Sequence, residues 1–435
     1  MPEAIRGMRA VTLSVADLRA ARRLYEEQLG MRLVAEGDVS PSDAGVRALW
    51  DLPAGTGGRV AWLEQPGAGS GAIRLVEFEP RSPIVVTDGA RPYDHGLIKN
   101  LDFFTDDVDA AYARLTAAGV PFLAPPVCYP VPWGRGVLAC EAHSAALEGV
   151  KLSVARLLGA PRKAFGEATH ETPFTEVAVA AQVVADHRAA VRFYCDAFDC
   201  VPAVDTAIED EKLIAALRLP PGTRLRVCFI GPPQAVGGKI GLLAYEGDGV
   251  KDARSLAARS RPPHRGAVMM SFECDDVFHR HALAIACGAT EAAPPTSVDL
   301  LPFGRVRASS VRSPDGLLIE LIEPATEAAR VDIDVLDAAA LPEGAHRGVI
   351  ARGLGRIVLA NVKGQVFALE DRCPHLQGPL SLGAFDGCLL TCPWHGWAID
   401  VATGKVRGGD GLRARVLSAR REGGRILVRV PKQGA

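Results

Sequence analysis

Apolar and polar positions alternate along Val11-Thr12-Leu13-Ser14-Val15, the two-residue period of a half-buried strand. Asp17 then stands at the N-cap of a predicted helix that places Ala20, Leu24 and Leu29 near one face, with Tyr25 beside them, and Gly30 ends it. Strands are expected at residues 45–49, 60–64 and 73–77. The pattern then restarts: residues 100–105 read as a strand, Asp106-Asp107-Val108 opens a helix, Gly119 closes it, and further strands run to residues 151–155. A βαβββ unit has appeared twice. Beyond a polar, Pro-containing linker at 159–173 the series recurs. Val184-Ala185-Asp186 answers Val15-Ala16-Asp17, and Arg192-Phe193-Tyr194 answers Arg23-Leu24-Tyr25. Asp275-Asp276-Val277 answers Asp106-Asp107-Val108, and Pro302-Phe303-Gly304-Arg305 answers Pro132-Trp133-Gly134-Arg135. The offset stays at about 169 residues, which marks an internal duplication and four βαβββ modules. After a second linker at 324–330, strands at 357–362, 365–369 and 425–430 predict a small antiparallel β domain. The fold class is therefore α+β, with domains expected at 1–158, 174–325 and 331–435.

Composition narrows the function more by exclusion than by assignment. A chain of 435 residues with 48% hydrophobic and 23% charged residues has ample material for sizeable cores. A formal net charge of −2 gives no electrostatic case for nucleic acid or an anionic membrane as partner. No run of about 18 apolar residues suggests a membrane span. The start, Met1-Pro2-Glu3-Ala4-Ile5-Arg6, lacks the apolar run of a secretory signal. The 10 cysteines show no disulfide framework, and a cytoplasmic location is expected.

The chemistry is concentrated in Cys373-Pro374-His375-Leu376-Gln377-Gly378-Pro379-Leu380 and Cys392-Pro393-Trp394-His395-Gly396-Trp397. Each short loop carries one Cys and one His. Structural zinc normally pairs Cys with Cys and His with His, so the mixed pairs disfavour it. A two-iron cluster with thiolates on one iron and imidazoles on the other needs this mixture. The stretch resembles the Rieske [2Fe–2S] family, in particular its ferredoxin branch. The resemblance implies that Cys373 and Cys392 hold the inner iron, and His375 and His395 the outer one. Respiratory members of the family add a disulfide and two hydroxyl donors. The corresponding positions here are Gly378, Trp394, Trp397 and Ile399, which implies a potential low in the family range. Cys388, between the loops, reads as a small core residue.

The four modules resemble the vicinal-oxygen-chelate (VOC) superfamily of glyoxalases, bleomycin-resistance proteins and extradiol dioxygenases. Leu13-Ser14-Val15-Ala16-Asp17-Leu18 and Val311-Arg312-Ser313-Pro314-Asp315-Gly316-Leu317-Leu318-Ile319-Glu320-Leu321 carry the likeness. It implies that paired modules curl into β-cups, one per half, often around a divalent metal. The ligand positions read Ala10, Glu77, Asn100 and Ser153 in the first half, and Glu176, Gly241 or Ala244, Met269 and Glu320 in the second. Without histidine at these positions, a metal-free or weakly metallated second cup is expected, with Glu320 and a facing Glu176 as its catalytic candidates. His95 and His264, and the turn residues Trp133, Phe303, Arg135 and Arg305, are secondary candidates at the cup mouths. His279 and His281 read as solvated helix residues.

Together these features predict a Rieske-type electron-transfer protein with tandem substrate-binding cups. The expected partners are a reductase, an oxygenase or both, with a small aromatic or oxygenated ligand in a cup and neither nucleic acid nor membrane. The alternative is a VOC enzyme (lyase, isomerase or ring-cleaving dioxygenase) whose second cup is the catalytic centre, with the cluster auxiliary.

Overall fold

The computed structural model describes residues 7–134, 136–159, 172–233, 235–274, 277–324, 330–351, 354–402, 404–407, 412–417 and 419–431. The chain forms two compact units, Met1–Pro66 with Ser70–Pro324, and Ala325–Ala435 with Gly67–Gly69.

The first unit holds the four modules. Module one is β1 (Met8–Ser14), α1 (Leu18–Arg23), β2 (Arg32–Val39), α2 (Ala44–Leu49), β3 (Gly57–Glu64) and β4 (Ala72–Glu79). Module two is β5 (Leu97–Phe104), α3 (Val108–Ala117), β6 (Val127–Pro130), β7 (Leu138–His143) and β8 (Lys151–Leu158). Module three comprises β9 (Val179–Val183), α4 (His187–Phe198), β10 (Val201–Ile208), α5 (Glu211–Ala216), β11 (Arg224–Gly231) and β12 (Lys239–Glu246). Module four comprises β13 (Gly266–Glu273), α6 (Val277–Ala286), β14 (Thr290–Leu300), β15 (Gly304–Arg312) and β16 (Leu318–Glu323). The helices start where the sequence places caps: Asp17, Asp107 and Asp186 each accept from the backbone N–H three residues on. Asp275 and Asp276 lie outside the described residues. Segment 45–49, expected as a strand, is helix α2 instead. Asp43 accepts from the Val46 N–H, and Val46 and Leu49 share one buried face.

The modules pair across the duplication and not, as the sequence pattern predicts, within each half. One eight-stranded sheet runs β14-β15-β16-β13-β1-β4-β3-β2, the other β10-β11-β12-β9-β5-β8-β7-β6. Module one is joined to module four through antiparallel β1 and β13, and module two to module three through β5 and β9. The two cups therefore cross the duplication, and neither 1–158 nor 174–325 closes a cup on its own. All four modules offer equivalent first strands, so strand pattern alone does not choose the partners. Side-chain pairs span the joints that form. Arg9 pairs with Glu273 and Arg74 with Glu320 between modules one and four, and Lys99 donates to the Tyr245 hydroxyl between modules two and three. The helix-facing sides share one core that includes Leu13, Leu18, Leu101, Phe103, Leu115, Tyr194, Phe198 and Phe272. The opposite, concave faces carry separate cores, one around Val60, Val76, Leu318 and Ile322, the other around Val183, Ile214, Val227 and Leu243.

The second unit contains β17 (Arg330–Asp337), β18 (His346–Ala351), β19 (Gly355–Val362), β20 (Gln365–Glu370), β21 (Ala384–Phe385), β22 (Leu389–Thr391), β23 (Ala398–Asp400), β24 (Val416–Leu417), β25 (Ala419–Glu422) and β26 (Arg425–Pro431). Two base sheets, β17-β26-β25 and β18-β19-β20-β24, accompany the small sheet β21-β22-β23. Segments 357–362, 365–369 and 425–430 are strands as the pattern predicts.

Candidate functional site

Two loops of the second unit have nearly the same backbone. The Cys373 N–H donates to the Gly378 carbonyl at 2.8 Å, and the Cys392 N–H to the Trp397 carbonyl at 2.7 Å. The N–H groups of Gln377 and Gly396 return to the carbonyls of Cys373 and Cys392 at 2.9 and 3.0 Å. Gln377 and Gly396, each four residues past the cysteine, adopt φ of 65° and 67°. Gly396 takes that conformation freely, whereas Gln377 is held there by the turn. Asp371, with a fully buried carboxylate, steadies the first loop by accepting from the Ser381 N–H and hydroxyl and from Arg356.

Cys373, Cys392 and His395 present ligand atoms within 4.8 Å of one another. The His375 ring lies 4.6 Å from the His395 ring and stacks on Trp397 at 4.3 Å. Both thiols are buried in the same core as Leu380, Leu390 and Ile399, while His375 is exposed. The Cys373 sulfur accepts from the N–H groups of His375 and Leu376, the Cys392 sulfur from those of Trp394 and His395. A hydrogen bond between the thiols raises Cys373 and lowers Cys392. Buried thiolates under amide donors, with imidazoles outward, fit a [2Fe–2S] cluster that these four residues could hold. Gly378 is required by space: an added Cβ would lie 2.8 Å from Cys392 Sγ and from Trp394 Cδ2. Cys388 is exposed beside Asp386, contrary to the core position expected for it.

The cups place the other candidates differently. Equivalent residues follow from strand register: Thr12, Asp102, Ala181 and Ser271 on the first strands pair with Arg74, Ser153, Gly241 and Glu320 on the last. Glu77, expected at a ligand position, instead turns to the helix side, where it accepts from the Leu18 N–H. Its place is taken by Arg74. Glu176 lies ahead of β9, and Val179 fills the corresponding strand position. Glu176 is buried against Gly71 and Gly237, with Lys239 as a charged neighbour. It precedes β9 of module three, whereas Glu320 lies on β16, where Arg74 and not Glu176 faces it.

Glu320 is fully buried and engaged on every side. Arg74 Nη1 lies 2.9 Å from Oε2, Ser271 donates to Oε2 at 2.6 Å, and Trp50 Nε1–H donates to Oε1 at 2.7 Å. Arg74 sits over the rings of Trp50 and Trp62, 5.0 and 5.2 Å from their centroids. The donor sets Ala10, Arg74, Met269, Glu320 and Asn100, Ser153, Val179, Gly241 do not fit a divalent ion, since each offers at most one carboxylate or amide and the first brings a guanidinium.

The sheet of modules two and three carries a group that the sequence reading did not single out. Asp102, Glu141, His143, Lys99, Tyr129 and Tyr245 meet on its concave side. Tyr129 donates to Glu141 at 3.0 Å, and His143 Nε2 lies 3.2 Å from the same oxygen. Burial raises the Asp102 carboxyl to about 7 and drives the Lys99 amine well below its usual range, with Lys151 adding to the latter. Burial alone would raise Glu141 too, but His143 and Tyr129 hold it below the usual carboxylate range. A detectable signal exists in the sequence: Asp102 stands between Leu101 and Phe103, at an inward strand position.

The secondary candidates scatter. His264 bonds the Arg259 carbonyl at 3.0 Å, and His95 lies in a bridge with Ser255. His281 is buried against Glu291, not solvated, and the side chain of His279 and all of Arg135 lie outside the described residues. Trp133 packs on Phe229, Phe303 on Trp62, and Arg305 pairs with Asp299. Cys128 and Cys140, opposite one another on β6 and β7, form a disulfide, which the cysteine spacing did not suggest. Among the described residues no helix is long and apolar enough to cross a membrane.

Known proteins match in the same two parts. The model of the Rieske [2Fe-2S] domain matches residues 332–418, and that of the Glyoxalase/Bleomycin resistance protein/Dioxygenase superfamily matches residues 7–141. The ferredoxin component of naphthalene 1,2-dioxygenase/salicylate 5-hydroxylase systems from Ralstonia sp is 38% identical over 74 residues, 16% of this chain and 70% of that protein. Ferredoxin CarAc from Metapseudomonas resinovorans is 36% identical over 72 residues, 17% of this chain and 67% of that protein. Apoptosis-inducing factor 3 from Homo sapiens is 32% identical over 82 residues, 19% of this chain, and the chain spans only 14% of its length. Glyoxalase I from Zea mays superposes with a TM-score of 0.47 and 14% identity, over 73% of this chain and 92% of that one. The chain belongs to the Rieske [2Fe–2S] family through its C-terminal unit, and its residues 7–141 match the model of the glyoxalase, bleomycin-resistance and dioxygenase superfamily.

Proposed function

We propose that the protein is a one-electron carrier joined to small-molecule cups, working as a component of an oxygenase or oxidoreductase system on small aromatic or oxygenated compounds. The observation that carries this reading is the pair of matching loops, with buried Cys373 and Cys392 and an exposed His375. In it, Cys373 and Cys392 hold the inner iron and His375 and His395 the outer. The cluster, when bound, supplies one-electron transfer near the low end of the Rieske range. The chain's own part is to keep thiolates under backbone donors, exclude water from them, and bring imidazole edges toward a redox partner. The likeness to ferredoxin components supports a reductase and an oxygenase as those partners. Covalent attachment would raise the local concentration of the carrier beside whatever enzyme shares the cup's ligand.

Electron paramagnetic resonance of the reduced protein tests the assignment. A His-ligated [2Fe–2S] signal is expected, altered or lost in His395→Cys, together with reduction by a ferredoxin reductase. A colourless protein that takes up only zinc when purified anaerobically with iron supplied would sink it. A second reading, in which a cup is itself the catalytic centre, is favoured by one observation, the buried titratable group around Asp102 and Lys99.

A further inference from the structure

The two cups are built on the same register but filled in opposite ways. Where modules one and four bring Arg74 and Glu320 to the centre, modules two and three have Gly241 and Ser153. The carboxylate has moved one strand over, to Asp102, the equivalent of Ser271. In the cup of modules one and four the ion pair, with Trp50 and Trp62 around the guanidinium, occupies the middle of the concave face. In the cup of modules two and three the corresponding side chains are small, and polar groups stand around them.

Those groups are arranged in a row and beside a wall. Asp102, Ser153 and His143 are direct neighbours across β5, β8 and β7. A bulge between Ile98 and Asn100 brings Lys99 to the same side, where it donates to Tyr245 and feels both Asp102 and Glu141. Directly opposite Asp102 on β9 is Val179, which packs with Val204, Phe104, Leu157, Phe229 and Trp133. The Trp133 and Phe229 rings meet edge to face at 6.3 Å. Apolar walls with a few convergent polar groups are the usual composition of a small-molecule site.

We propose that the concave face joining modules two and three binds a small aromatic molecule bearing one hydroxyl, with the ring on the apolar wall and the hydroxyl between Asp102 and Lys99. The polar groups select that chemistry. A hydroxyl donates to a carboxylate and accepts from an amine at once. A carboxylate ligand only accepts, and it would add a negative charge beside Asp102 and Glu141. A plain hydrocarbon would offer the buried polar groups no hydrogen bond. The low amine and high carboxyl titration of Lys99 and Asp102 agree with a site that lowers its own charge while empty.

This inference deepens the reading that the cups take a small ligand, and its test needs no electron transfer, so either can fail alone. Calorimetric titration of the oxidised full chain with phenol, toluene and benzoate compares three ligands of similar ring size. Phenol should bind about tenfold or more tighter than the other two, the scale of a hydrogen bond to a charged group. Asp102→Asn and Lys99→Met should each shrink that ratio toward one, while Glu320→Gln in the other cup leaves it unchanged. The ratio is read on one sample, so an unfolded fraction cancels, and if neither variant folds the wild-type ratio still decides. Equal affinity for phenol and toluene, tighter benzoate, or a ratio lost in Glu320→Gln but kept in Asp102→Asn would overturn the proposal.

Discussion

Arg74 Nη1 stands 2.9 Å from Glu320 Oε2, with both side chains buried, and the two residues come from modules at opposite ends of the first unit's sequence. The bond links β4 to β16 across the joint of the cup. It also sets a guanidinium beside the buried carboxylate of that cup.

Removing one partner of this pair leaves the other buried and uncompensated, which costs about 3–5 kcal/mol in comparable cases. Glu320→Gln and Arg74→Met should therefore each lower the denaturant midpoint of the first unit clearly, while the visible spectrum of the cluster is kept. The double variant should recover part of the loss. Metal analysis of the wild type should find the two irons of the cluster and no third stoichiometric metal. Persistent manganese, zinc or extra iron after deletion of residues 331–435 would contradict the account of the cup.

At the cluster loops the decisive position is Gly378. Its missing side chain leaves room for Cys392 Sγ, so Gly378→Val should reduce cluster occupancy several-fold, visible as lost absorbance and a weaker paramagnetic signal.

The potential should also be low. Trp394, Trp397 and Ile399 supply no hydroxyl, and Gly378 and Trp394 cannot form a disulfide. Protein-film voltammetry should place the midpoint toward the lower end of the Rieske range, roughly −150 mV, with little pH dependence near neutrality. A value near +300 mV would contradict it.

A pH dependence of stability follows from Asp102. Its carboxyl is raised to about 7 in the folded protein from the ordinary 3.8. The unfolded chain therefore releases this proton first. The stabilising contribution is full below about pH 4, declines as pH rises toward about 7, and is level above. Urea denaturation at pH 5 and pH 8 should show Asp102→Asn losing less stability between the two than the wild type does.

The Cys128–Cys140 pair bears on location. If the protein works in a reducing compartment, alkylation of freshly lysed cells should label both cysteines, and air oxidation should remove both labels together. A pair protected in cells would place the protein in an oxidising environment.

The sequence alone determined the local and repetitive features. Alternation marked most strands of the four modules, and Asp17, Asp107 and Asp186 marked helix starts, because side-chain period and cap chemistry act over a few residues. The mixed Cys/His loops marked the cluster because every ligand lies within two short turns whose backbone is set by neighbouring Pro and Gly. Only the tertiary structure decided which modules share a cup. Four equivalent edge strands can pair in more than one way, and the choice rests on contacts such as Arg74–Glu320 and Lys99–Tyr245, between residues far apart in the chain. For the same reason the sequence pattern sets Glu176 opposite Glu320, a place that Arg74 of module one takes in the fold. The group around Asp102 was hidden because its members come from β5, β6, β7 and β12, and only folding brings those strands to one face.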